Sequence, residues 1–135
     1  MPFRFLDHVA DERVACWGAN LDELFTSAMD ALYAVALQDR RDETPYTRRI
    51  QLEGDGLDDL MVRWLQELIY LLDVEHFAAA AVDFDRIDTH RLDAVLQGYR
   101  CRPEDRKTEV KAATYHGIAV EHRNGQYRAE VLFDL

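Results

Sequence analysis

Apolar positions along the chain form two helical stripes set among shorter, alternating runs. Leu21, Leu24, Phe25, Ala28, Leu32, Val35 and Ala36 recur at spacings of three and four, the period of one face of an α-helix. Asn20 stands ahead of them with Glu23 three positions on, the capping-box spacing that marks a helix start. Leu57, Leu60, Met61, Trp64, Leu65, Leu68, Leu71 and Leu72 make the second stripe and predict a helix from Leu57 to about His76. Asp58 and Asp59 fall in its first turn, where carboxylates complement the helix dipole. The Trp64 and leucine stripe reads as core packed against a sheet, with a binding groove as the alternative.

The remaining segments carry strand patterns. Phe3 to Asp7 and Arg13 to Trp17 read as two short strands around a charged connection. Tyr46 to Leu52 is β-prone, follows Pro45, and ends at Gly54-Asp55-Gly56. Val82, Phe84 and Ile87, then Leu92, Val95 and Leu96, suggest a strand pair turning near Asp88 to His90. Pro103 to Lys107 reads as a charged loop. Val110 to Arg123 and Gln126 to Phe133 flank Asn124-Gly125, the strongest two-residue hairpin signal.

That turn predicts a register. Arg123 opposite Gln126 sets His116 against Phe133, Ile118 against Val131 and Val120 against Ala129. These pairs share an apolar face; Glu121 beside Arg128 and Tyr115 beside Asp134 lie on the polar one. His116 on this reading is a core histidine, and Lys111 shares the Asp134 side about 13 Å beyond Tyr115. The element order gives an α+β single domain over residues 1–135: two helices on one face of a mostly antiparallel sheet of about six or seven strands.

Charge narrows the partners. Sixteen basic against 26 acidic residues give −10, so a phosphate backbone is repelled unless the cations gather on one face. No run approaches the roughly 18 apolar residues of a membrane span. The first residues lack a signal-peptide pattern, and the two cysteines, Cys16 and Cys101, have no zinc spacing. A cytoplasmic location is the expectation. Cys16 reads as packing. Cys101, between Arg100 and Arg102, reads as a thiol of lowered pKa with no local base to make it catalytic. Arg100, Arg102, Arg106 and Lys107 form the one basic concentration, either a solvated turn or a contact for an acidic surface or RNA.

Three stretches together resemble the archease family: Leu6-Asp7-His8-Val9-Ala10-Asp11 with Trp17-Gly18, then Trp64 to Asp73, then Glu109 to His116 with Asp134-Leu135 at the end. The family has Thr where this chain has Val9, and Ile is commoner than Leu135; neither change removes a carboxylate. The resemblance implies an α+β accessory protein of a GTP-dependent tRNA-splicing RNA ligase. Such a protein promotes ligase guanylylation and multiple turnover, meets RNA only through the ligase, and is not itself an enzyme. It also implies a metal site at Asp11, Asp134 and Leu135.

The residues support that site in part. Carboxylate and main-chain oxygens suit hard divalent ions such as Ca²⁺, Mg²⁺ or Mn²⁺, with Ca²⁺ the expectation in a structure and Mn²⁺ or Mg²⁺ in the cell; two solvated surface aspartates are the plain reading. His8, Lys111 and Tyr115 are candidates for ligase contact or for support around the metal, and Asp7 for support at most. His76, His90 and His122 have no partners at metal spacing. Two other readings remain. One is a small metal-dependent phosphoester hydrolase with His8 as base, which lacks a Gly-rich phosphate loop, a nucleophile–base pair and a His-Glu-x-x-His cluster. The other is a metal-free, chaperone-like scaffold.

Overall fold

The computed structural model describes residues 2–6 and 11–135. In chain order it contains β1 (Phe3–Leu6), β2 (Glu12–Gly18), α1 (Leu21–Ala36), β3 (Tyr46–Glu53), α2 (Leu57–Val74), β4 (Phe77–Ile87), β5 (Arg91–Arg100), a 3₁₀ turn (Pro103–Asp105), β6 (Ala112–Arg123) and β7 (Gln126–Asp134). The expected α+β class holds, with two helices and seven strands among the described residues. The strands are divided between two antiparallel sheets, β1-β2-β7-β6 and β3-β5-β4.

Local chemistry accounts for the helix boundaries. The Asn20 side chain accepts the Glu23 N–H at 2.9 Å, and the Glu23 carboxylate reaches back to the Ala19 N–H at 3.0 Å. The box thus closes one residue earlier than its usual form, and two N-terminal amides find acceptors. Helix α2 stops at Val74, two residues short of the expected His76. His76 adopts a positive φ of 55° and its carbonyl accepts the Cys101 N–H, so the chain has already left the helix and turned into β4.

Both apolar stripes are buried. Trp64 is fully buried; it lies against Phe25 and Phe84, and its indole N–H donates to the Phe25 carbonyl at 2.9 Å. One side chain therefore joins α2, α1 and the three-stranded sheet, and its polar atom is satisfied. Tyr33 is equally buried, and its hydroxyl oxygen accepts the Ala79 N–H at 3.0 Å. Phe3, Val14, Cys16, Ala129, Val131 and Phe133 supply the inner face of the four-stranded sheet. Burial pushes the Cys16 thiol up to about 12, which makes it the packing group expected.

The thiol of Cys101 departs from its expectation. Burial raises its pKa, with Asp105 adding to the rise, and the neighbouring guanidinium groups do not reverse it. Those guanidiniums are engaged elsewhere: Arg102 pairs with Asp105 and Glu104, Arg41 with Asp105, and Arg106 with Asp73. Asp105 is held well below the ordinary carboxylate range, first by the Arg102 side chain and its backbone N–H. Arg102 and Arg106 are thus neutralised within the fold, while Arg100 and Lys107 stand exposed.

Candidate functional site at the end of the four-stranded sheet

The β2–β7 ladder sets the site. Val14 faces Val131, Arg13 faces Leu132 and Glu12 faces Phe133. One further step of the same register brings Asp11 opposite Asp134. Alternation points Phe133 and Val131 into the core and puts Asp134 on the outer face, in line with its exposure. Asp11 is half-buried in the bend that enters β2, and Leu135, also half-buried, packs against the core. Two carboxylates 123 positions apart in sequence are thus brought to one sheet end by strand pairing alone. Among the described residues no group of three or more His, Cys, Asp or Glu side chains is arranged to hold a metal ion. His8 and Asp7 lie outside the described residues.

The neighbours of Asp134 on β6 differ from the expected ones. The turn behaves as predicted: Asn124 and Gly125 have φ of 52° and 73°, and Arg123–Gln126 through Ala119–Glu130 keep the predicted pairing. Between Thr114 and Ala119 the register shifts, and beyond it Thr114 faces Leu132, Ala113 faces Phe133 and Ala112 faces Asp134. Tyr115 is therefore not beside Asp134, His116 does not face Phe133, and Ile118 does not face Val131. His116 is exposed and is no core histidine. Lys111, just before the strand, gives its backbone N–H to the Asp134 carbonyl at 2.8 Å. In the corrected register alternation assigns Ala112, not Lys111, to the Asp134 face.

The displaced segment is held by α2. The Tyr115 hydroxyl donates to Asp59 Oδ1 at 2.6 Å, while Asp59 Oδ2 accepts from the Arg63 guanidinium and the Asp55 N–H, both at 2.9 Å. The Tyr115 bond, then the Asp55 amide and Arg63, pull the Asp59 carboxyl down to about 2. The same bond pushes the Tyr115 hydroxyl up. Asp58 accepts the Val120 N–H at 2.9 Å and Gln66 accepts the Ala113 N–H at 3.0 Å. These are amides on the side of β6 away from β7. Helix α2 thereby covers an edge that would otherwise present unpaired donors. Gly117, with φ of 69°, permits the bulge. Sequence reasoning assigned Asp58 and Asp59 only to the helix dipole; an isolated glycine inside a strand pattern was the available sign of a bulge.

Comparison with known proteins completes the picture. The archease protein family matches residues 3–135. The archease of Archaeoglobus fulgidus is 35% identical over 137 residues, covering 100% of both chains. The solution structure of Methanobacterium thermoautotrophicum protein 1598 superposes with a TM-score of 0.78 at 26% identity, covering 99% of each chain. A Thermotoga maritima archease, described as a possible chaperone, shares the fold with a TM-score of 0.66 at 18% identity, over 96% of this chain and 94% of that one. The element order, the sheet end bearing Asp11 and Asp134, and a match over nearly the whole length lead to one assignment: the chain belongs to the archease family.

Proposed function

We propose that this archease is a metal-binding accessory protein that activates a GTP-dependent tRNA-splicing RNA ligase, promoting guanylylation of the ligase and repeated turnover. The observation that carries the reading is the β2–β7 register, whose next step sets Asp11 against Asp134. The donor set fits a hard divalent ion: two carboxylates with a main-chain oxygen of Leu135 beside them, and no sulfur or imidazole donor assigned. Ca²⁺, Mn²⁺ or Mg²⁺ held there would supply a positive charge at the end of an acidic molecule. Asp11 and Asp134 would hold it, and the Lys111 amide would fix the last strand through the Asp134 carbonyl. Of the suggested ligase contacts, exposed Tyr115 and Lys111 fit a partner-facing role. RNA is met through the ligase, in keeping with the charge of −10.

The test compares native protein with Asp11→Ala and Asp134→Ala. Both variants should keep the native circular dichroism spectrum, because neither side chain belongs to the buried core. Each should weaken Ca²⁺ or Mn²⁺ binding by about tenfold or more, since a site with few protein ligands has none to spare, and should lose stimulation of ligase turnover. Equal stimulation by all three folded proteins would reject the site. Lost stimulation with intact metal binding would turn these carboxylates into direct ligase contacts. Protection of unfolding clients without any effect on a ligase would favour a chaperone.

A further inference from the structure

Among the described residues five large apolar or aromatic side chains stand exposed, and three of them share one surface: Tyr70 at 49%, Val74 at 58% and Tyr115 at 56%. Asp59, Arg63, Gln66, Tyr70 and Val74 follow one another at spacings of three and four, so they form a single ridge along α2. From Asp59 to Val74 that ridge is about 22 Å long. Tyr115 joins it through its bond to Asp59, and β6 runs beside it through the Ala113–Gln66 bond. Helix α2 already buries Leu60, Trp64, Leu65, Leu68 and Leu72 on its other side. Packing therefore does not account for a tyrosine and a valine on the solvent side, and exposed valine is a weak helix former.

The surface is also built to be rigid. Two of its three apolar members are tyrosines, which supply contact area at little cost in side-chain freedom. The ring of Tyr115 is further restrained by its hydroxyl bond. The rim is acidic: Asp55, Asp58, Glu67 and Glu75 flank the ridge, Glu75 paired with Arg48 and the first three without an ion pair among the described residues, while Arg63 and Arg106 are taken up by Asp59 and Asp73. At a net charge of −10 two copies of this chain repel each other, and a cationic partner is attracted. We propose that this ridge docks a cationic protein surface on the RNA ligase, with Tyr70 and Val74 as its apolar contact at one end, Tyr115 at the other, and the carboxylates along the rim. The inference rests on the ligase-accessory reading above and assigns the contact to α2 and the β6 bulge, on the side of β6 away from Asp134.

Purified ligase is titrated with native protein, the Tyr70→Lys/Val74→Lys double variant and Tyr70→Gln, at low and at high salt. All three should share the same circular dichroism spectrum and metal affinity, because the changes are on an exposed helix face. The double variant should bind the ligase about tenfold or more weakly, and Tyr70→Gln about threefold. Native affinity should fall as salt rises, with a shallower fall for the double variant. If the double variant misfolds, Tyr70→Gln alone decides. Affinities within about twofold of native, for whichever variants fold, would overturn the docking ridge while leaving the accessory reading intact. A native protein that does not bind the ligase at all overturns both. A native dimer that the double variant abolishes would overturn the proposal by giving the ridge to a second copy.

Discussion

The two halves of the β6–β7 hairpin obey different rules. Next to the turn, from Arg123–Gln126 to Ala119–Glu130, pairing follows from the backbone geometry of Asn124-Gly125. Beyond Thr114 the same two strands are offset by the residues of the bulge. The near half satisfies itself, β2 and a single α2 carboxylate, Asp58 at the Val120 N–H. The bulge and the far half are held to α2 more heavily, by Asp59 at the Tyr115 hydroxyl and Gln66 at the Ala113 N–H. A turn dictates register only until a tertiary contact takes hold of the same strand. Here the helix wins by satisfying polar groups on an edge strand that the alternative register would leave to water.

The largest expected effect tests the far half. Phe133 is fully buried between Glu12 on β2 and Ala113 on β6. Phe133→Ala should cost about 3–5 kcal/mol in denaturant unfolding, the range for truncating a buried aromatic. Val120→Ala, a half-buried position in the near half, should cost far less. Comparable costs would mean that the far half is not the better packed of the two.

How much could be read beforehand follows the same division. Both helix stripes, the Asn20 cap, the β4–β5 pair and the Asn124-Gly125 turn were legible because each is fixed by residues close in sequence. The resemblance supplied Asp11 and Asp134, whose alignment depends on a β2–β7 pairing that no local signal announces. The bulge was missed because one apolar alternation was extended through Gly117, and the error carried Tyr115, His116 and Lys111 to wrong neighbours. The division into two sheets is a matter of which strand edges meet, and period alone does not encode it. The Arg41–Asp105 pair was likewise invisible, since its members are 64 positions apart.

A pair of glycine substitutions sharpens the comparison at a smaller scale. Gly125 and Gly117 both adopt positive φ, 73° and 69°, and neither position is sterically crowded: a Cβ at Gly125 meets nothing within 4 Å, and at Gly117 only Arg13 Nη2 at 4.0 Å. The cost of a side chain is therefore backbone strain. Gly125→Val and Gly117→Val should each destabilise by about 1–2 kcal/mol. If the halves are independent, the double variant should show the sum to within about 0.5 kcal/mol. A strongly sub-additive result in thermal melts would mean that the hairpin shifts its whole register once either glycine is lost.

The smallest effect isolates the clasp that distinguishes the far half. Tyr115→Phe removes one hydroxyl, the group that donates to Asp59 at 2.6 Å. A bond to a carboxylate is stronger than a neutral one, but this pair is open to solvent, so about 0.5–1 kcal/mol is expected at neutral pH. The sign of its pH dependence follows from the two shifts. Asp59 is depressed from 3.8 to about 2, so its contribution is fully present above the unfolded value and is lost as pH falls through about 2. Tyr115 is raised above 10.0, so its contribution is present below that value and is lost only as pH rises through the higher folded pKa. The clasp thus persists unchanged across neutrality. The stability gap between native and Tyr115→Phe proteins should stay constant near neutral pH and close during acidification from about pH 4 to about pH 2, as followed by denaturant unfolding alongside the Asp59 carboxyl resonance. In the variant, which keeps only the Asp55 amide and Arg63 as partners, that resonance should titrate at a higher pH than in the native protein. An Asp59 titration that is identical in both proteins would detach Tyr115 from the helix and return the bulge to an unexplained slip in register.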